Sequence, residues 1–189
     1  MAKLYYRFGA MGSSKTANAL MVRYNYIERG QKVILLKPKL DSRDGDKVIA
    51  SRIGLRAECE YVEDFLEKLD LTVSLNCDAI IVDEAQFLNT EQVDSLSDVV
   101  DFLDIPVLCY GLRTDFKGHL FEGAKRLMEV ADVIEEIKTV CWCGRRASFN
   151  ARVIDGKIRK DGEQIMLGGN ESYVSLCRKH FKLGMLHKM

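Results

Sequence analysis

The chain has 189 residues, of which 47% are hydrophobic and 30% are charged, and its 28 basic side chains balance its 28 acidic ones. This length and composition suit one globular domain, or one domain with a small appendage. A net charge of zero argues against a protein that coats nucleic acid, because such proteins carry a basic surplus. No apolar run reaches the roughly 20 residues that cross a bilayer, and the start has no signal-peptide layout. We therefore expect a cytoplasmic protein with no membrane partner and no direct DNA binding.

A glycine-rich turn joins the first predicted strand, residues 3–8, to a predicted helix, residues 15–29. The turn matches the phosphate-binding pattern GxxxxGK[ST], except that Ser14 stands where the second glycine is expected. Backbone N–H groups and the positive end of the helix would point at one anion, with Lys15 on the β- and γ-phosphates and Thr16 on Mg²⁺. The alternative is an ordinary turn with an exposed lysine. The predicted triphosphate site consists of Gly9, Ala10, Met11, Gly12, Ser13, Ser14, Lys15 and Thr16.

Strands and helices continue to alternate through the first two-thirds of the chain. Apolar runs predict further strands at residues 32–37, 79–82, 106–110 and 132–137. Helices are predicted near residues 62–69, after a capping box at Asn89 and Gln92, and at 120–130. Residues 38–51 are polar and predict a loop. The alternation predicts an α/β fold, in which helices cover a parallel sheet and ligands bind at the carboxyl ends of its strands.

Two acidic residues and one arginine are predicted to meet at that edge of the sheet. Asp83 ends the buried strand 79–82 and would bind Mg²⁺, whereas Glu84 would face the other way by strand alternation and act as a general base. Arg43, in the loop after the second strand, would clamp a transferring phosphoryl group. The alternatives are two surface acids and a solvated loop charge.

The last quarter of the chain supplies a set of metal ligands. Cys141 and Cys143 form one tight pair, and Cys177 and His180 form another. Three thiolates and one imidazole suit tetrahedral zinc, and a reducing cytosol favours metal over disulfides. A zinc ion there would tether the intervening segment, residues 144–176. The alternative is a set of free thiols beside a surface histidine.

The pattern of predicted secondary structure changes after residue 138. Runs with β character occupy residues 148–154 and 158–160, and few helical periods are visible. We therefore predict a nucleotide-binding α/β domain at 1–138 and a small, β-rich, zinc-binding domain at 139–189.

These motifs together resemble the type II thymidine kinases, a cytosolic family shared by bacteria and animals. The similarity extends from residue 3 to residue 180, and the Cys-x-Cys spacing resembles a bacterial branch of the family. Its specific parts are residues 9–16, 41–43, 83–87, 111–121 and 167–173, the last resembling the family's thymidine lasso.

The resemblance implies transfer of the γ-phosphoryl group of ATP to the 5′-hydroxyl of deoxythymidine, more weakly to deoxyuridine, in nucleotide salvage for DNA synthesis. It implies Glu84 as the general base, with Lys15 and Arg43 stabilising the γ-phosphate. Magnesium would be held by Thr16, Asp83 and Asp41. Asp83, Glu84, Ala85 and Gln86 would join the loop in binding ATP. The implied thymidine-binding residues are Met11, Phe87, Leu112, Phe116, Phe121, Leu167, Gly168, Gly169 and Tyr173. The family also implies structural Zn²⁺, a homotetramer and feedback inhibition by dTTP.

Two other functions would require some of the same motifs. A nucleic-acid-dependent ATPase with a zinc ribbon would also need a phosphate loop and cysteines, but the balanced charge and the short chain argue against it. A nucleotide-sensing module would need no general base, so Glu84 argues against that function.

Overall fold

The computed structural model describes residues 1–43, 45–165 and 173–187. The strands are β1 (Leu4–Phe8), β2 (Val33–Lys37), β3 (Val48–Ala50), β4 (Arg56–Glu58), β5 (Glu60–Tyr61), β6 (Ala79–Val82), β7 (Val107–Gly111), β8 (Val133–Glu136), β9 (Thr139–Val140), β10 (Arg146–Ala147), β11 (Phe149–Ile154), β12 (Lys157–Arg159) and β13 (Tyr173–Leu176). The helices are α1 (Lys15–Ile27), α2 (Val62–Glu67), α3 (Thr90–Leu103), α4 (Glu122–Val130) and α5 (Arg178–Leu183), with a 3-10 turn at Ala85–Phe87.

A six-stranded sheet with the order β5-β2-β6-β7-β1-β8 forms the centre of the fold. Every pair of neighbouring strands in it is parallel, as the alternation of strands and helices predicts. The carboxyl ends of β1, β2, β6 and β7 therefore meet at one edge, which is where the phosphate loop and the predicted acids lie.

Helices cover both faces of this sheet. On one face, α2, α3 and α4 pack against alternate strand residues such as Ile80 and Val82. On the other face, α1 packs through Ala19 and Leu20, while Ile81 comes from the sheet. All four residues of β6 are buried, which explains its continuous apolar sequence. None of the helices in the described residues is long and apolar enough to span a membrane.

The C-terminal part of the chain forms two small antiparallel sheets and a short helix. One sheet pairs β9 with β10, and the other has the order β12-β11-β13. A separate apolar cluster holds them together with α5, through residues such as Leu176 and Phe181. The prediction of a boundary at residue 138/139 stays a prediction.

Several predicted elements need correction. Residues 38–51 are not a plain loop, because they contain β3, which pairs with β4. The amino-acid sequence also does not reveal β4, β5, β9, β10, β13 or α5. These short elements contain no run of four apolar residues like that of β6, so contacts with the surrounding fold decide them.

Candidate active site

The loop between β1 and α1 surrounds the side chain of Lys15. The Lys15 Nζ atom donates to the carbonyl oxygen of Ala10 at 3.0 Å and lies 3.4 Å from the Ser13 Oγ atom. Burial of Lys15 lowers the pKa of its ammonium group to about 8. The loop therefore holds a desolvated cation between neutral acceptors, which suits an anion site.

Gly9 and Ser14 show how tightly the backbone of this loop is constrained. A Cβ atom at Gly9 would lie 2.4 Å from the carbonyl oxygen of Ile137 and 2.3 Å from the Ser13 Oγ atom, so only glycine fits. Ser14 has φ +63° and ψ +29°, a left-handed conformation that costs a residue with a Cβ about 1–2 kcal/mol. The serine thus adopts the backbone conformation that a glycine would adopt freely.

Asp83 and Glu84 follow β6 and have different surroundings. Asp83 is buried and hydrogen-bonds to the Thr16 side chain; its burial, and then the charge of Glu84, raises the pKa of Asp83 to about 7. Glu84 has φ +52°, so the chain leaves the strand there in a left-handed turn. Strand alternation therefore does not set the direction of the Glu84 side chain as predicted, because β6 ends at Val82 and the turn directs that side chain.

Arg43 connects Glu84 with Asp41. Its Nη2 atom lies 2.6 Å from Glu84 Oε1, and its Nε atom donates to Asp41 Oδ1 at 2.6 Å. Burial alone would raise the pKa of Glu84, but the charges of Arg43 and Lys15 outweigh it and hold that pKa below its ordinary value. Gln86 donates to the other Glu84 oxygen. Glu84 is therefore an ionised carboxylate that two neighbours hold in place.

An apolar cavity lies beside Glu84. Six residues predicted to bind the nucleoside line it: Met11, Phe87, Leu112, Phe116, Phe121 and Tyr173. Its other lining residues are Arg43, Glu84, Gln86, Thr114, Asp115, Asn150, Gln164 and Ile165. The rings of Phe87 and Phe121 meet edge to face, with centroids 5.8 Å apart. Leu167, Gly168 and Gly169, which were also predicted to bind the nucleoside, lie outside the described residues.

A second cavity, called here the phosphate cavity, adjoins the apolar cavity. It is lined by Met11, Gly12, Ser14, Lys15, Thr16, Ala17, Arg43, Ala50, Ser51, Arg52, Ile53, Glu84 and Leu112. Met11, Arg43, Glu84 and Leu112 line both cavities. The two cavities therefore meet at the pair formed by Glu84 and Arg43.

The other residues predicted to bind ATP or magnesium lie around these cavities. Within the described residues, neither cavity is lined by Gly9, Ala10, Ser13, Asp41, Asp83 or Ala85. Gln86, which was predicted to bind ATP, lines the apolar cavity. Asp41 is buried and contacts Arg43.

Cys141, Cys143, Cys177 and His180 form a Cys₃His cluster whose ligand atoms all lie within 4.8 Å of one another. The Nδ1 atom of His180 is 3.4 Å from Cys141 Sγ and 3.5 Å from Cys177 Sγ, and the Sγ atoms of Cys143 and Cys177 are 3.9 Å apart. Ligand atoms of tetrahedral zinc lie about 3.5–3.8 Å apart, given Zn–S and Zn–N bonds of about 2.3 and 2.0–2.1 Å. The cluster therefore fits structural zinc.

A sequence model of the family described as "Thymidine kinase" matches residues 2–181 of this chain. The chain belongs to the thymidine kinase family. It is 45% identical to a thymidine kinase of Lactococcus lactis subsp. lactis (strain IL1403), over 96% of this chain and 97% of the relative. It is 47% identical to a thymidine kinase of Rhodopirellula baltica, over 96% of this chain and 89% of the relative. It is 50% identical to a thymidine kinase of Xanthomonas campestris pv. campestris (strain 8004), over 96% of this chain and 90% of the relative.

Among solved structures, the chain is similar to a DNA replication initiation factor with a TM-score of 0.42 and 13% identity, over 72% of this chain and 40% of the other. That likeness is too weak to say anything of function. Membership of the thymidine kinase family makes the chain an enzyme, a phosphotransferase, and so decides against both the DNA-dependent ATPase and the non-catalytic module.

The kinase holds the Met11 backbone with two side chains that the sequence analysis did not identify. Asn150 Oδ1 accepts from the Met11 N–H at 2.8 Å, and the Ser175 hydroxyl donates to the Met11 carbonyl. Asn150 also donates to the Thr114 carbonyl at 3.4 Å. The first two contacts join residues 139 and 164 positions apart, so no local sequence signal could have revealed them.

Arg152 supports one wall of the apolar cavity from behind. It is 2% exposed, and its guanidinium carbon lies 3.6 Å from the centroid of the Phe116 ring. Its Nε atom donates to the Tyr173 hydroxyl at 3.1 Å, and its Nη2 atom donates to the Glu163 carbonyl at 2.9 Å. Arg152 thus orients two residues that line the cavity.

Arg52 brings a third basic side chain to the phosphate cavity of the kinase, beside Lys15 and Arg43. It follows β3, and its Nη1 atom lies 3.8 Å from the position a Cβ on Gly12 would occupy. The amino-acid sequence does not reveal Arg52 as a site residue, because one arginine in a polar turn carries no distinctive pattern.

Proposed function

We propose that this kinase transfers the γ-phosphoryl group of ATP to the 5′-hydroxyl of deoxythymidine and releases dTMP. One observation carries the proposal: the apolar cavity and the phosphate cavity meet at Glu84 and Arg43. A nucleoside whose base occupies the apolar cavity would present its sugar hydroxyl to a triphosphate in the phosphate cavity. Held in this way, the two reactants lose little further entropy on the way to the transition state.

Glu84 is the proposed general base. The charges of Arg43 and Lys15 keep the pKa of Glu84 below its ordinary value, so the carboxylate is ionised and able to accept the 5′-hydroxyl proton. Lys15 and Arg43 would stabilise the charge that develops on the γ-phosphoryl oxygens. Lys15 must then exchange the Ala10 carbonyl for phosphate oxygens.

The proposed magnesium ligands are Thr16, Asp83 and Asp41. Thr16 and Asp83 already share a hydrogen bond, and burial raises the pKa of Asp83, so a nearby cation would stabilise its ionised form. A bound Mg²⁺ ion would neutralise charge on the β- and γ-phosphates. Asp41 also holds Arg43 by an ion pair.

The proposed preference for thymine follows from hydrogen-bond polarity and from shape. Thymine donates at N3 and accepts at O4, whereas cytosine does the reverse, so partners fixed for thymine would leave cytosine opposite unpaired groups. Each unpaired group costs about 1–3 kcal/mol. Met11 would contact the 5-methyl group, and losing that contact in deoxyuridine costs only about 1–3 kcal/mol. The residues proposed to supply main-chain partners include Leu167, Gly168 and Gly169.

The test is to incubate the kinase with ATP, Mg²⁺ and one labelled nucleoside at a time and to measure the 5′-monophosphate formed. We expect kcat/KM for deoxyuridine to be about 10- to 200-fold below that for thymidine. Deoxycytidine should be lower still. Equal rates on thymidine and deoxycytidine, or ATP hydrolysis without a nucleotide product, would contradict the proposal.

Replacing Ser14 by glycine is expected to lower KM for ATP several-fold. Glycine removes the cost of the left-handed conformation and lets a phosphate approach the backbone more closely. The free energy of unfolding should change by less than about 1 kcal/mol, because glycine also loses more chain entropy on folding. Ser14→Ala is the matched control, since it removes the hydroxyl but keeps the Cβ. An equal gain in Ser14→Ala would show that the hydroxyl, and not the Cβ, limits ATP binding.

Because the chain belongs to this family, we also propose that the kinase is a cytoplasmic homotetramer and that dTTP inhibits it. Exposed apolar side chains support self-association: Met21, Tyr24 and Ile27 on α1, and Ile134 on the edge strand β8. Sedimentation equilibrium would test the tetramer, and thymidine kinetics with added dTTP would test the inhibition.

A further inference from the structure

A groove rich in arginine lies apart from the two cavities of the kinase. The basic groove has a volume of about 530 Å³, and it shares no lining residue with either cavity. Five cations line it: Arg113, Arg145, Arg146, Arg178 and Lys179. Arg113 follows β7, Arg145 and Arg146 come from the β9–β10 connection and β10, and Arg178 and Lys179 begin α5.

The positive charge of the basic groove is largely uncompensated. No carboxylate is among the described residues that line it. Arg146 pairs with Glu136 at 3.1 Å, and its Nε atom donates to Ser148 at 3.2 Å. Within the described part of the chain, the other four cations form no ion pair within 4.0 Å. Because the whole chain has a net charge of zero, this concentration of charge is a local feature.

The Cys₃His cluster fixes the spacing of these cations. Cys177 lines the basic groove and directly precedes Arg178, and Cys143 lies two residues before Arg145. The Sγ atoms of these two cysteines are 3.9 Å apart, so the cluster ties the two arginine-bearing segments together. The Arg113 guanidinium lies over the Phe8 ring, 5.4 Å from its centroid. Pre-positioned cations lose less entropy when they bind an anion.

We propose that the basic groove is a second anion site, which binds the oligophosphate chain of a nucleoside triphosphate or of inorganic polyphosphate. Arginine forks bind phosphate oxygens in pairs, and several forks facing one cavity suit a short chain of phosphates. Nucleic acid fits less well, because sites for single strands also need aromatic rings on which bases stack. Phe149 is the aromatic residue among the described lining residues, and Phe181 already stacks on it at 4.7 Å.

Calorimetric titration with inorganic triphosphate tests this site, in a Lys15→Ala variant that weakens the phosphate loop. We expect one binding event per chain to remain, and Arg178→Gln combined with Lys179→Gln to weaken it at least tenfold. Arg145 lies in an exposed turn, so Arg145→Gln should also weaken triphosphate binding while leaving the fold intact. It keeps the test valid if the double variant at Arg178 and Lys179 misfolds. Lys182→Gln is the matched control, because Lys182 lies on α5, is exposed and does not line the groove.

Two further titrants distinguish the sources of the phosphates. ATP binding more tightly than triphosphate would favour nucleotides, and equal binding would favour the phosphate chain alone. The proposal is overturned if no binding remains in Lys15→Ala, if the arginine variants bind like the control, or if a single-stranded oligonucleotide binds where triphosphate does not. None of these outcomes bears on thymidine phosphorylation, which the nucleoside assay tests separately.

Discussion

Replacing Glu84 by glutamine is expected to lower kcat by about 100- to 10,000-fold, or about 2.7–5.5 kcal/mol in activation free energy. Glutamine has nearly the same shape but cannot take the proton of the 5′-hydroxyl. The dissociation constants of thymidine and ATP should change little, because the apolar walls and the phosphate loop remain. Rapid-quench measurement of a single turnover, together with titration of each substrate, would separate the chemical step from binding.

The contact between Glu84 and Arg43 complicates that experiment, because Glu84→Gln also removes the ionic partner of Arg43. A double-mutant cycle separates the two roles. If Glu84 only positions Arg43, then Glu84→Gln should have no further effect in an Arg43→Gln background. If Glu84 is the base, Glu84→Gln should lower kcat both in the wild-type background and in the Arg43→Gln background. Glu91→Gln is a suitable control, since Glu91 is exposed in the first turn of α3. Full activity of Glu84→Gln would rule out the assigned base.

The elements that sequence reasoning predicted are those with a strong local cause. The strand prediction at 79–82 coincides with β6, because four apolar residues in a row need burial on both faces. The capping box predicted at Asn89 and Gln92 is present, with both reciprocal hydrogen bonds, where α3 begins. Six of the residues predicted to bind thymidine line one cavity, but that placement came from the family resemblance rather than from periodicity.

The features that sequence reasoning did not predict depend on contacts between distant residues. Glu84 is directed by a left-handed turn that its own sequence does not favour, since glutamate rarely adopts φ +52° without support from tertiary structure. Asn150 and Arg152 look like ordinary strand residues until β11 lies beside the phosphate loop and Phe116. Polar residues of this kind acquire their role only in the folded chain.

Replacing Cys141 by serine is expected to raise KM for thymidine at least tenfold, with a smaller effect on KM for ATP. The variant should also lose most of the zinc that the wild-type chain is expected to bind, about one ion per chain. The asymmetry arises because Cys177, in the same cluster, directly follows β13. Tyr173 of this strand lines the apolar cavity but not the phosphate cavity. Loosening the cluster should therefore disturb the nucleoside side of the site first.

The single tryptophan of the chain gives this prediction a readout that does not depend on activity. Trp142 stacks on His180 with ring centroids 4.1 Å apart, and its Nε1–H donates to the Met185 carbonyl at 3.2 Å. Removing zinc with a chelator should therefore change Trp142 fluorescence in step with the loss of thymidine affinity. Cys77→Ser is the matched control, because Cys77 is a partly exposed thiol outside the cluster and should leave zinc content and fluorescence unchanged. If Cys141→Ser instead lost ATP affinity alone, the cluster would be supporting the phosphate loop rather than the nucleoside pocket.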